Sequence, residues 1–318
     1  MTGRGVVYSD GSRTSNGQSL EKEAPMQALV ENVKNTIIGT IRGTGEIVNA
    51  VTETVSGSLT TALKGTGSVG KALTEAVSDV ASGVIQGTNQ VGGDLGKATK
   101  GAVIGVLKGT HEVGGEAVDA VGSTVQKLVT TTADVGGDVG IAAREAMEGT
   151  VEGASSLGIK SVDAIAAAAS GAIEGVGRVG RTTTETASQV ARGLIQGASN
   201  LGGDLGSAAR GSLAGVLRGT RELTGQTADT LASTAGSVVK ATAEVGGNVG
   251  TTAKAAVEGA IQGAKEIGVD AAEAAAAAAG GALKAAGDIG TAAVEQVQKA
   301  ATGVISGVKV VVKAPFTQ

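Results

Sequence analysis

The chain has 318 residues, enough for one or two ordinary domains, but 54 are glycine, 1% are aromatic and none is cysteine. The scarcity of large aromatic side chains predicts that there is no conventional globular core, and the absence of cysteine excludes disulfides and thiolate metal sites. With 26 basic and 30 acidic residues, the net charge of −4 disfavours nucleic acid and strongly anionic membranes as partners.

Residues 1–25 form a polar segment rich in serine, glycine and charge, which predicts disorder. The segment lacks the apolar stretch of a signal peptide, and no window of about 20 uninterrupted apolar residues indicates a transmembrane helix. We therefore expect an intracellular protein that is peripheral to a lipid droplet, granule or membrane surface, or is soluble.

Residues 26–307 are predicted to be a helical region with a 22-residue repeat. The stretch GVIQGTNQVGGDLGKA begins at Gly83, and its near-copy GLIQGASNLGGDLGSA begins at Gly193, five repeats later. Twenty-two is two elevens, and eleven residues make three turns at about 3.67 residues per turn, close to a straight α-helix. No proline interrupts the chain between Pro25 and Pro315. The predicted fold class is all-α, with long amphipathic helices.

Apolar residues recur at steps of three and four, so they fall on one helix face. Lys, Arg, Glu and Asp fall on the opposite face, where pairs four residues apart, such as Lys240 and Glu244, indicate a solvated surface. The residues predicted to face a lipid or a partner are Ile41, Ile47, Leu63, Val69, Ile85, Val91, Leu107, Val113, Ile195, Leu201, Leu217, Leu223, Ile261 and Ile267.

A lane of small residues runs between the two faces and forms GxxxG pairs. Small residues four apart let helix backbones approach closely, within one chain or between chains. The residues predicted to allow this close helix packing are Gly39, Gly43, Gly83, Gly87, Gly193, Gly197, Gly259 and Gly263.

Glycine pairs mark possible helix ends. VGGD or a close relative begins at Val91, Val135, Leu201 and Val245, and a glycine pair followed by Asp can end one helix and cap the next. Because the apolar face keeps its phase across these positions, we favour helices that are interrupted or bent there over hairpins. Residues 308–318 form a short β-branched tail without an assigned conformation.

An isolated repeat should be a marginal helix. Each repeat has about four glycines, each costing about 1 kcal/mol relative to alanine inside a helix. Its apolar residues are worth roughly 1.5–3 kcal/mol each, but only when buried. Order must therefore come from something that covers the apolar face, either a lipid or oil surface or other copies of the helix.

Stretches such as GVLKGT from Gly105, VEGA from Val151 and AEVGGNVG from Ala243 resemble the eleven-residue amphipathic repeats of synucleins and long-repeat perilipins. The wider group includes apolipoproteins and group 3 late-embryogenesis proteins. The resemblance covers about residues 35–307 and implies a coat that is disordered in solution and helical on lipid. The chain departs from these families in having fewer lysines than synucleins, and in lacking the prolines and aromatics of apolipoprotein repeats.

Two features invite a chemical interpretation, and neither supports one. Gly65, Gly67 and Gly70 spell GxGxxG, but Ala72 stands where a phosphate loop needs Ser or Thr, and no strand precedes it. His111 is the only histidine and falls on the polar face without a catalytic partner. We therefore predict no enzyme activity, no catalytic residue, no cofactor and no metal site.

The first functional hypothesis is a non-enzymatic coat that binds a lipid droplet, granule or membrane through its apolar face. The alternative is a structural protein whose helices pack on each other through the glycine lanes into a bundle, filament or sheet. A third hypothesis is a desiccation protectant, and a β-solenoid is disfavoured because period-two alternation is missing. The predicted partner is an apolar surface or the chain itself, not nucleic acid or a small-molecule substrate.

Overall fold

The computed structural model describes residues 17–44, 46–64, 69–115, 117–159, 161–180, 183–221 and 227–312. These residues are almost entirely helical, so the all-α prediction is confirmed. The elements in the described ranges are α1 Gly17–Thr44, α2 Ile47–Leu63, α3 Val69–Gln90, α4 Leu95–Glu112, α5 Ala117–Asp134, α6 Val139–Leu157, α7 Ser161–Arg178, α8 Thr183–Asn200, α9 Leu205–Gly219, α10 Thr227–Glu244, α11 Val249–Ile267, α12 Ala271–Ile289, α13 Thr291–Ala301, β1 Gly303–Ile305 and β2 Val308–Val310.

The helices form two layers. Each helix packs most closely against the helix two places along the chain and less closely against its sequence neighbours. Gly83 of α3 lies beside Val30 of α1, and Gly87 lies beside Lys34, so these two helices run parallel. The helix between them must then run in the opposite direction. We call α1, α3, α5, α7, α9, α11 and α13 the odd layer, and α2, α4, α6, α8, α10 and α12 the even layer.

Short turns reverse the chain between layers. Gly92 follows α3 with a φ of 65°, and the Asp94 side chain then accepts a hydrogen bond from the Lys97 backbone N–H at the start of α4. Glycines with positive φ recur every 22 residues at Gly92, Gly114, Gly136, Gly158, Gly180 and Gly202, and again at Gly246, Gly268 and Gly290. The helices are interrupted at these glycines, but our preference against hairpins was wrong, because a left-handed glycine followed by an N-cap reverses the chain direction here.

The interior contains a hydrophobic core, which corrects the prediction that the chain has none. The core consists mainly of Val, Ala, Leu and Ile, and its largest fully buried side chains include Ile85, Leu107, Met147 and Ile195. The prediction failed because it assumed that a core needs large side chains. Here glycine and alanine let the backbones come together, so that small side chains are enough to fill the space between the helices.

The two ends of the chain differ from the predicted domain boundaries. The first helix begins at Gly17, within the segment that was predicted to be disordered up to residue 25, and residues 1–16 lie outside the described residues. At the other end, β1 and β2 form an antiparallel hairpin that spans the predicted boundary at residue 308. Its loop residues, Ser306 and Gly307, have φ of 49° and 81°, which is typical of a type I′ turn.

The hairpin covers the last helices of the array. Ile305 and Val310 are buried, and Lys265 Nζ of α11 donates a hydrogen bond to the Ser306 carbonyl oxygen at 3.2 Å. The remaining tail, residues 313–318, lies outside the described residues. Among the helices that the structure describes, none combines the length and hydropathy needed to cross a membrane.

Candidate functional site: the glycine seams

The closest approaches in the molecule occur along the lines where consecutive helices of one layer meet, which we call seams. A Cβ at Gly83 would lie 2.8 Å from the Val30 carbonyl oxygen, and one at Gly149 would lie 2.7 Å from that of Lys100. Real Cβ atoms essentially never come so close, so these positions admit only glycine without a shift of the backbone. The absence of a side chain therefore sets the spacing between the helices.

Six of the eight glycines predicted to allow close packing lie in such seams. Gly83 and Gly87 of α3 face α1, Gly193 and Gly197 of α8 face α6, and Gly259 and Gly263 of α11 face α9. A Cβ at Gly39 in α1 would meet nothing within 4 Å, because no described helix lies against that side of α1. The surroundings of Gly43 are outside the described part of the chain.

The apolar residues predicted to face a lipid or a partner lie mostly inside the molecule. Leu201 is the exception, with 47% of its surface exposed at the turn after α8. The side chain of Val69 and all of Leu223 are outside the described residues. The buried members are Leu63, Ile85, Leu107, Ile195, Leu217 and Ile261, and the partly buried ones are Ile41, Ile47, Val91, Val113 and Ile267. In this structure the chain's own helices cover the apolar face.

Most ion pairs of the described residues join two helices across a seam, and a few, such as Lys254 with Glu258, lie along one helix. Lys240 Nζ lies 2.7 Å from Asp288 Oδ2 in α12, whereas its predicted partner Glu244 lies 3.9 Å from Arg192 of α8. Arg210 and Arg218 of α9 likewise reach acidic residues of α11, with distances of 2.5 Å to Glu258 and Glu266. Sequence reasoning placed these residues on the solvated face and missed their partners. The signal available in the sequence was the regular placement of each acid slightly more than two repeats after its base.

One cross-seam cluster perturbs proton binding. Lys100 Nζ lies 2.9 Å from Glu152 and 3.9 Å from Glu148. Burial opposes the charge on Lys100, but the hydrogen bond and charge of Glu152, with help from Glu148 and Glu145, outweigh it and raise the pKa of the lysine. Burial also raises the pKa of Glu148, and so does the charge of Glu145, against the lowering effects of Lys100 and Arg144.

We expect Glu148→Gln to raise the melting temperature at pH 7. Because the pKa of Glu148 is raised in the folded chain, the ionised carboxylate destabilises the folded state above that pKa, and this effect vanishes as the pH falls below the ordinary value of 4.5. Thermal melts from pH 3 to pH 8 should therefore show a difference in melting temperature between the variant and the wild type that disappears at about pH 4. The control, Glu152→Gln, removes the shorter ion pair to Lys100 and should lower the melting temperature at pH 7.

Buried threonines near helix ends lack hydrogen-bond partners for their hydroxyls. They include Thr88, Thr110, Thr132 and Thr242. The carbonyl of each accepts a hydrogen bond from the second glycine of the following turn, as in Gly137 N–H to Thr132 O at 2.8 Å. Val176 stands at the matching position of α7 and is fully buried. Ala198 stands at the matching position of α8 and is also buried, so the fold does not require a hydroxyl there.

Thr132→Val should therefore stabilise the chain by about 1 kcal/mol, because it removes a buried hydroxyl that has no partner and keeps the shape. Urea unfolding followed by circular dichroism measures the change. Thr124→Val is the matched control, since the buried Thr124 hydroxyl donates to the Ala120 carbonyl at 2.6 Å. A higher free energy of unfolding in both variants, or a lower one in Thr132→Val, would contradict the interpretation that the Thr132 hydroxyl is buried without a partner.

The features with possible chemical roles remain scattered in the structure. Gly65 and Gly67 lie outside the described residues, and Gly70 lies within α3. His111 is exposed in the last turn of α4. Within the described ranges, no three His, Cys, Asp or Glu side chains converge in a way that could hold a metal ion. The seams and the buried apolar columns are therefore the features from which function can be inferred.

Comparison with known proteins identifies no relative of the chain: no family model matches it, and neither does any curated protein.

Proposed function

We propose that this chain is a non-enzymatic structural protein in which each 22-residue repeat supplies one helix and one turn, and the helices stack through glycine seams into a two-layer array. The observation that carries the proposal is the burial of the apolar columns. Leu107, Ile195, Leu217 and Ile261 are covered by neighbouring helices of the same chain. The need for a covering surface, which an isolated repeat cannot meet, is met within one chain.

The first helices support a finite array instead of an open filament. Asn32 and Thr36 of α1 are exposed, whereas α3 has the buried residues Ala76 and Val80 at the matching positions. Terminal repeats of stacked proteins need such polar outer faces, because no further repeat covers them. The hairpin at the other end performs a similar covering role against α11 and α12. Both features favour a discrete scaffold or spacer.

A lipid coat is the second candidate, and the in-phase apolar columns favour it if the array can open. Opening would exchange helix–helix contacts for lipid contacts along the same face. It would also separate the cross-seam ion pairs, such as Lys240 with Asp288. The structural proposal therefore predicts stable helix in buffer, whereas the coat predicts helix that depends on lipid.

Circular dichroism, with light scattering after size exclusion, tests the proposal on the full chain. We expect a helical, cooperatively melting protein in dilute buffer, with no gain in helix and no flotation on addition of phosphatidylcholine liposomes or oil emulsion. Leucine at Gly83, Gly87, Gly193 and Gly197 should abolish the helical signal in buffer. A disordered chain that becomes helical on lipid would replace the structural proposal with the coat. A chain that becomes helical only on drying would replace it with the protectant.

A further inference from the structure

Two seams of the array lack the glycine contacts that hold the others together. In most seams, a glycine of one helix lies against the other helix. These seams are α1/α3, α2/α4, α4/α6, α5/α7, α6/α8, α7/α9, α9/α11, α10/α12 and α11/α13. Among the glycines whose surroundings the structure describes, none does so between α3 and α5 or between α8 and α10. Among the longer helices, these two pairs also make the fewest close backbone approaches within a layer.

The sequence explains the exception at α3/α5. Lys127 and Thr131 of α5 stand at the positions of Gly83 and Gly87 in α3, and of Gly215 and Gly219 in α9. The charge of Lys127 acts on Asp79 of α3, where it lowers the pKa of a carboxyl that burial raises. A half-buried lysine and a half-buried aspartate thus occupy a seam that elsewhere brings backbone against backbone.

The α8/α10 seam is polar in a different way. The Ser188 and Ser233 hydroxyl oxygens lie 2.8 Å apart, and those of Thr184 and Thr230 lie 3.3 Å apart. The ion pair from Arg192 to Glu244 is long, at 3.9 Å. Hydroxyl contacts of this kind are replaced by water at little cost when they become exposed.

We propose that the α3/α5 and α8/α10 seams are joints at which the array opens, while the glycine seams keep the segments between them rigid. At each joint the opposite layer is continuous. Opposite the α3/α5 joint, glycine seams hold helix α4 to α2 and α6. Opposite the α8/α10 joint, glycine seams hold helix α9 to α7 and α11. Only one layer can therefore widen at each joint, and the continuous layer acts as the hinge.

The joints lie in opposite layers because they are five helices apart, and five is an odd number. Opening α3/α5 widens the odd layer and bends the array toward the even layer. Opening α8/α10 bends it in the opposite direction. The five-repeat period seen in the sequence thus places opposed bends along one array, which can deform without acquiring a net curvature. The inference concerns how the proposed scaffold moves and does not depend on its partner.

Hydrogen exchange measured by mass spectrometry tests the joints in the wild-type chain. Helices on either side of a joint should exchange faster than the continuous helix opposite it, by about tenfold, because a helix that loses packing on one side unfolds locally more often. The exchange rates of α3 and α5 are compared with that of α4, and those of α8 and α10 with that of α9. Because the reference helix lies between the other two in sequence, the comparison controls for position in the chain. If α4 exchanges as fast as α3 and α5, and α9 as fast as α8 and α10, the proposal is overturned.

A single disulfide gives a second test, since the chain has no cysteine of its own. Ser188→Cys with Ser233→Cys places two thiols where hydroxyls already touch. Oxidation, verified on a non-reducing gel, should slow exchange in α8 and α10 about tenfold and leave α3 and α5 unchanged. A formed disulfide that slows no helix would overturn the joint. A chain without stable helix in buffer would instead overturn the structural function, whereas uniformly slow exchange would overturn the joints alone.

Discussion

Gly193→Ala is expected to destabilise the chain by about 2 kcal/mol, whereas Gly57→Ala is expected to stabilise it by about 1 kcal/mol. Alanine gains about 1 kcal/mol over glycine inside any helix, so this gain is common to both variants. The difference is steric. The new methyl at residue 193 would overlap the Arg144 carbonyl of α6, while that at residue 57 would meet nothing within 4 Å. Overpacking of this kind costs about 3 kcal/mol where backbone must move.

Urea unfolding of the two variants, followed by circular dichroism, measures the difference directly. Gly39→Ala repeats the control in the odd layer, because residue 39 also faces open space. The seams would not set the spacing of the array if Gly193→Ala were as stable as Gly57→Ala. If helices lay separately on a lipid surface, all three alanines would instead increase helix content alike.

Leu107→Ala is expected to cost about 2–5 kcal/mol of unfolding free energy, and Leu201→Ala less than about 0.5 kcal/mol. Both leucines were predicted to face a lipid or a partner. Leu107 is fully buried, whereas 47% of Leu201 is exposed at a turn. Truncating the buried side chain removes its transfer free energy and leaves a cavity, while truncating the exposed one removes little from the folded state.

The same pair discriminates between the array and the coat. The array predicts unequal losses of stability in buffer. A coat predicts that both leucines matter about equally, since both would insert into the lipid, and that the loss appears in liposome binding. Equal effects of the two substitutions on flotation, with no effect in buffer, would contradict the array.

At the turns, the local sequence pattern predicted where a helix ends but not the direction in which the chain continues. The glycine pair at Gly92 was correctly identified as a helix end, and Asp94 as the cap of the next helix. The preference for interrupted or bent helices over hairpins was nevertheless wrong about the direction of the chain. The apolar face keeps its phase whether the chain continues straight or reverses after every repeat. Phase therefore does not distinguish the two geometries.

At the seams, the sequence likewise predicted the faces of a single helix but not the residues that meet across two helices. The glycine lane and the charged face are properties of one helix, and both were identified from spacing. Which helix meets Gly193, or which acid meets Lys240, depends on contacts more than two repeats away along the chain. Sequence reasoning also linked a core to aromatic residues, and it missed that alanine and valine are sufficient when glycine brings the backbones together.

The sequence alone determined the helical class, the 22-residue unit, positions at which a helix can end, and the split into an apolar face, a polar face and a glycine lane. These features arise from interactions within about one turn of helix or one loop. Only the tertiary structure decided that the chain covers its own apolar face, with parallel helices in each layer and two seams without glycine. The physical reason is that an exposed apolar face gains similar free energy from lipid or from another helix. The choice between them rests on long-range packing, which no single repeat encodes.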